Sequence, residues 1–247
     1  MQPNTKVLIL ESPNTFTFEI QDLRACAQWA KNNGIISLID NSHASPLFQR
    51  PAEFGIDIVV HTITKYLNGH SDVVAGVICG SHARISRIFQ AEFMTLGTIL
   101  SPHDAALVIR GLRTLHLRMT RVWETAQQLL RYLKSHPRVE QVLYPLDPDF
   151  PQYALARTQM SGCGGLMTVF LKAPSMASVE RFVDRLQRFE MAVSWGGHES
   201  LVFPVAATYG LPGNPEPRLP WNCVRFYFGL EDAQDLINDI DQAFSVL

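Results

Sequence analysis

Lys65 lies in the run His61-Thr62-Ile63-Thr64-Lys65-Tyr66-Leu67-Asn68-Gly69-His70-Ser71-Asp72, directly after a strand-like stretch, Ile58-Val59-Val60. Upstream, a second apolar stretch, Ile35-Ile36-Ser37-Leu38-Ile39, ends in Asp40. A carboxylate at one strand end and an amine preceded by hydroxyls just past another are the groups that hold an aromatic aldehyde carrying a phosphate. Pyridoxal 5'-phosphate (PLP) is such a molecule. The Lys65 amine forms a Schiff base with the aldehyde. The Asp40 carboxylate keeps the pyridine nitrogen protonated, so that the ring accepts electrons. The hydroxyls of Thr62 and Thr64, on one side of a period-two segment, hold the phosphate.

Each residue alone has an ordinary reading. A loop lysine is usually a solvated charge, an aspartate before Asn41-Ser42 a turn or helix cap, and threonines are common in strands. The combination argues for chemistry. Arg225 adds to it, because an arginine between Val224 and Phe226 is costly unless paired, and its planar fork suits a carboxylate.

Elements able to position these groups are legible. Val7 to Leu10, Ile35 to Asp40, Ile58 to His61 and Val73 to Cys79 read as strands, and Asp22 to Asn33 as a helix closed by Asn33-Gly34. Their apolar runs barely alternate, which suits strands covered on both faces. The order predicts an α/β fold with a mostly parallel sheet. Glu11, Asp40 and Lys65 then fall at carboxyl ends of strands, where such sheets bind ligands. Ser101 to Ser135 reads as one long helix, its core stripe running from Leu107 through Leu112, Leu115 and Met119 to Leu133, and stopped by His136-Pro137. A smaller α+β unit follows: strand Leu166 to Leu171, helix Ser175 to Phe189, strand Val224 to Phe228 and helix Asp232 to Phe244. Tyr209 to Pro220 reads as a loop. The expected domains are 1–135 and 136–247.

The motifs, taken in order, resemble the PLP-dependent Cys/Met metabolism (transsulfuration) family. Asp40-Asn41-Ser42, Thr62-Ile63-Thr64-Lys65-Tyr66 and Gly69-His70-Ser71-Asp72 carry the resemblance. Glu11-Ser12-Pro13, Ser101 to Ala105, Arg110 to Leu115, Ser194 to Leu201 and Arg225 to Asp232 extend it along nearly the whole chain. The resemblance implies a PLP-dependent, aminotransferase-like large domain and a smaller C-terminal domain. It implies Lys65 as the PLP lysine, Asp40 as the ring-nitrogen partner, Thr62 and Thr64 at the phosphate, Arg225 at the substrate carboxylate and Ser194 in support. Where the family places an asparagine at the ring oxygen, this chain has Thr15, with Asn14 one residue early.

The implied reaction is carbon–sulfur lyase chemistry on cystathionine or a related sulfur amino acid, within methionine and cysteine metabolism. The Ser194-Trp195-Gly196-Gly197 form favours β-elimination, as in cystathionine β-lyase. A γ-synthase or γ-lyase is the alternative, and an aminotransferase a weaker one. Family members carry a long segment ahead of the Glu-Ser-Pro strand, so this chain is expected to be truncated at its N-terminus and to bind PLP weakly or not at all alone; the non-enzymatic alternative is an inactive fragment, or one half of a split protein that needs an N-terminal partner. Homotetramers built from dimers are implied where that segment is present.

Other classes are disfavoured. The chain has 247 residues, 47% of them hydrophobic, enough for a core. Lys plus Arg is 21 and Asp plus Glu is 23, which leaves no nucleic-acid footprint. Cys26, Cys79, Cys163 and Cys223 form no paired spacing, which points to a reducing cytoplasm rather than to disulfides or zinc. There is no HExxH, no phosphate loop, no signal peptide and no apolar run near the roughly 20 residues of a membrane helix. No metal and no membrane or nucleic-acid partner is expected.

Overall fold

The computed structural model describes residues 1–212 and 217–247. The chain divides into two compact units, one of Met1–Asn14, Phe18–His116 and Pro151–Cys163, the other of Thr15–Thr17, Leu117–Phe150 and Gly164–Leu247. These limits differ from a single cut at 135. The division falls inside the helix Pro102–Ser135. Helical periodicity continues unbroken through 116 and 117, so the sequence pattern does not register where the packing neighbours change.

The first unit is built on a four-stranded sheet in the order β1 (Val7–Glu11), β2 (Ile36–Asp40), β3 (Ile58–Thr62), β4 (Gly76–Gly80). β1, β2 and β3 run parallel and β4 antiparallel to β3. The register aligns Glu11 with Asp40 and Asp40 with Val60, so three carboxyl ends form one edge. Helix Leu23–Asn32 starts where the Asp22 side chain accepts from the Ala25 amide at 2.9 Å. It turns Leu23 and Ala27 onto a core with Leu10, Ile39, Ile56 and Val59. Each such aliphatic side chain contributes about 1.5–3 kcal/mol by leaving water.

One expectation fails at the margins of this sheet. β1 and β4, read as covered on both faces, are outer strands, with Ile9 at 72% and Val74, just before β4, at 88% exposure. An apolar run reports on packing potential; it does not say that a neighbouring strand is present.

The second unit holds a five-stranded sheet, β5 (Val139–Leu143), β6 (Leu166–Leu171), β7 (Glu190–Met191), β8 (Leu201–Pro204) and β9 (Cys223–Tyr227), in the order β5-β6-β9-β8-β7. Only β7 and β8 pair in parallel. β9 is central, and all five of its residues are buried. Helices Met176–Arg185 and Ala233–Ala243 are each opened by an N-cap, Ser175 with a reciprocal bond to Ser178, and Asp232. Phe182, Phe189, Phe226, Phe228 and Phe244 form the aromatic core. Leu112, expected on the stripe of the long helix, is 45% exposed, and Val108 is buried instead. The loop expected from Tyr209 to Pro220 lies partly outside the described residues. Among those described, no helix is long and apolar enough to cross a membrane.

Candidate active site

The carboxyl ends of the parallel strands are tied together by polar side chains. The Gln49 amide donates to the Ser12 carbonyl after β1 at 2.7 Å and to Asn41 Oδ1 at 2.9 Å. The Asn41 backbone donates to the Val60 carbonyl of β3 at 2.9 Å. Asp40, the last residue of β2, accepts through Oδ1 from the Ser42 amide at 2.8 Å and the Ser42 hydroxyl at 2.6 Å. The same hydroxyl oxygen accepts from the Thr62 amide at 2.6 Å. Asp40 Oδ2 and the Thr62 hydroxyl take no hydrogen bond from the described residues.

Lys65 follows in the turn after β3, half-buried, its amide donating to the Thr62 carbonyl at 3.1 Å and its carbonyl receiving the Gly69 amide at 2.8 Å. Asp40, Thr62 and Lys65 thus belong to one connected strand edge. Glu11, opposite Asp40, has its carboxyl raised by partial burial and then by the Asp40 charge. Burial lowers the pKa of His61 below 6.5, against the pull of Asp40 and the Asn41 backbone, which favours the neutral ring.

Thr64 differs from its expected setting. β3 stops at Thr62, so Thr64 does not continue the alternation. Its hydroxyl donates to the Ala75 carbonyl at 3.2 Å and accepts from the Ala75 amide at 3.0 Å, closing the turn onto the approach to β4. Gly111 matters to the same turn: a Cβ there would lie 2.4 Å from the Asn68 carbonyl oxygen, so only glycine lets the long helix lie this close.

Arg225 and Thr15 group in the second unit. Arg225 is 3% exposed in β9. Its guanidinium donates to the Thr15 carbonyl at 3.3 Å and to the Val193 carbonyl, and lies 4.4 Å from the centre of the Phe16 ring. Among the described residues it has no acidic partner. Burial lowers its pKa to about 10, so it remains a cation at neutral pH. Asn14, one position before Thr15, instead caps its own turn, accepting from the Phe18 amide at 2.9 Å. Ser194 is exposed in the loop after β7, next to Val193.

Sequence reasoning missed what fixes that loop. The Glu231 carboxylate accepts from the Ser200 amide at 2.7 Å and the Ser200 hydroxyl at 2.8 Å, and that hydroxyl accepts from the Gly229 amide at 2.9 Å. Tyr227 donates to the Gly197 carbonyl at 2.8 Å, and the Leu230 amide to the His198 carbonyl at 2.9 Å. A Cβ on Gly229 would meet the His198 carbonyl oxygen at 2.3 Å. The two motifs are halves of one clasp. The glycine after an apolar strand was the visible hint.

Over residues 1–245 the chain matches the family described as Cys/Met metabolism PLP-dependent enzyme. It belongs to that family. The chain is 42% identical to the L-methionine gamma-lyase of Pseudomonas putida, over 98% of this chain and 62% of that protein. It is 39% identical to the cystathionine beta-lyase of Coxiella burnetii, over 97% of this chain and 63% of that protein. Cystathionine gamma synthase from Xanthomonas oryzae pv. oryzae, solved in complex with cystathionine, superposes with a TM-score of 0.90 at 36% identity, over 98% of this chain and 63% of that one. The chain therefore spans less than two thirds of the length of these relatives, and its α/β fold is the one they share.

The donor set fits the cofactor of this family. An unengaged carboxylate oxygen at Asp40, an unengaged hydroxyl at Thr62 and a half-buried amine at Lys65 match a ring nitrogen, a phosphate and an aldehyde in chemical kind. Among the described residues no cluster of His, Cys, Asp and Glu could hold a metal.

Proposed function

We propose that the chain carries out PLP-dependent carbon–sulfur bond cleavage on a sulfur-bearing α-amino acid, with β-elimination of cystathionine as the favoured reaction. The observation that carries this reading is the strand edge where Asp40, Thr62 and Lys65 are connected through Ser42. PLP, when bound, supplies an aldehyde carbon and an electron-accepting ring. Lys65 Nζ would anchor it, and the Lys65 amine would serve as the base for the substrate α-proton. Asp40 Oδ2 would hold the ring nitrogen by a hydrogen bond. The Thr62 hydroxyl donates to the phosphate, and Arg225 receives the α-carboxylate, with Ser194 beside it. Thr64 and Thr15 are the less supported cofactor contacts, since Ala75 engages the Thr64 hydroxyl and Arg225 the Thr15 carbonyl.

Free thiols at all four cysteines support a cytoplasmic setting, and the family resemblance supports a homo-oligomer working in methionine metabolism. A second reading, that activity requires a further polypeptide, is favoured by the exposed Ile9 and Ile78 on the outer strands.

Borohydride reduction of the chain with PLP, followed by peptide mass spectrometry, is expected to place the adduct on Lys65, and Lys65→Ala to lose both adduct and turnover. Cystathionine should then give pyruvate, ammonia and homocysteine. Cysteine with 2-oxobutyrate would instead assign γ-elimination. An adduct on another lysine, such as Lys31, would end the reading. An adduct formed only after a second polypeptide is added would select the second one.

A further inference from the structure

Ser42 touches no reacting atom, yet it joins the two strand ends that the site needs. It is 8% exposed. Its hydroxyl has one proton to give and two lone pairs. The proton goes to Asp40 Oδ1 at 2.6 Å, and a lone pair receives the Thr62 amide at 2.6 Å. With the Ser42 amide also on Oδ1 at 2.8 Å, that oxygen is doubly engaged and the carboxylate is fixed in its plane. Oδ2 is the oxygen left over.

The Thr62 residue held by this bond carries the unengaged hydroxyl, and its carbonyl receives the Lys65 amide. One serine therefore sets the direction of the carboxylate and the place where the lysine turn begins. Only a hydroxyl does both, since an amide-only contact would leave the Thr62 amide without its acceptor.

We infer that Ser42 is a positioning residue for the cofactor site, acting through Asp40 Oδ2 on the ring nitrogen of PLP. The inference rests on the cofactor reading above. Two donors on Oδ1 keep the carboxylate oriented, so Oδ2 meets the ring nitrogen without reorganising.

The test uses the full chain, with PLP and with the 5'-phosphate of 1-deazapyridoxal, which lacks the ring nitrogen. Binding is read by titrated borohydride trapping at Lys65. Ser42→Ala is expected to weaken PLP about tenfold, the scale of one hydrogen bond to a charged group. Ser42→Thr, which keeps the hydroxyl, should remain close to the parent. With the deaza analogue, Ser42→Ala should weaken binding clearly less than with PLP, because only the Thr62 tether is then lost. In the cofactor-free chain, hydrogen exchange at the Thr62 amide should accelerate in Ser42→Ala.

Equal weakening towards both cofactors would overturn the inference, because Ser42 would then act only on the turn. Unchanged exchange at Thr62 would overturn it as well. A parent chain that traps no cofactor at Lys65 would bring down the site reading itself, a separate failure visible before any variant is made.

Discussion

The two units solve opposite electrostatic problems. In the first, the Asp40 carboxylate is held by donors: the amide and hydroxyl of Ser42. In the second, Arg225 must stay an available cation, and it is surrounded by acceptors that carry no charge: the carbonyls of Thr15 and Val193 and the face of Phe16. A buried carboxylate beside Arg225 would have stabilised it and removed its reason for being there. Carbonyls and an aromatic face solvate the guanidinium without neutralising it, so the carboxylate proposed to bind there would find a full charge. A residue buried beside neutral groups and a residue buried beside its counter-ion are therefore different objects, even at equal burial.

Removing the cation is the strongest way to break this comparison. Arg225→Met should lower kcat/KM by about a hundredfold or more, through lost carboxylate binding, while leaving the borohydride-trapped Lys65 adduct in place. Loss of the adduct too would show that the two regions do not divide the work as described. The paired glycines give a smaller and sharper contrast. Alanine at Gly229 or at Gly111 forces a Cβ against a backbone carbonyl oxygen, at 2.3 Å and 2.4 Å respectively. Each should cost about 1–3 kcal/mol in urea unfolding. Gly229→Ala should act on substrate KM, and Gly111→Ala on PLP binding; the reverse assignment would contradict the proposed roles.

The smallest effect is a pH dependence to which the first unit contributes through His61 and the second through His136. His61 has its pKa lowered in the fold, chiefly by burial, so the folded state binds the proton less readily than the unfolded chain. Its stabilising contribution is therefore complete above the unfolded value of 6.5 and is lost as pH falls below it. Chemical denaturation followed between neutral and mildly acidic pH should show this decline, and His61→Asn should reduce it.

Much of this arrangement is legible in the sequence. Asp40 and Lys65 declared themselves because chemistry-bearing side chains stood at the ends of apolar runs, and strand ends are where parallel sheets gather ligands. Arg225 was visible as a charge inside an apolar strand. What stayed hidden was contact between distant segments. Ser42 read as a turn residue because its bond to the Thr62 amide joins separate strands. Glu231 drew no reading of its own because its partner, Ser200, lies in the other motif. β8 escaped because four residues ending in Pro204 carry no periodicity. The antiparallel return of β4 was hidden because apolar runs have no direction.

The way Arg225 is fastened has an evolutionary consequence. Its hydrogen-bonding hosts are main-chain oxygens at positions 15 and 193, which every amino acid provides. Side chains there can change without loosening the guanidinium, so, on the proposed role of Arg225, diversification of substrates would be decoupled from the anchor.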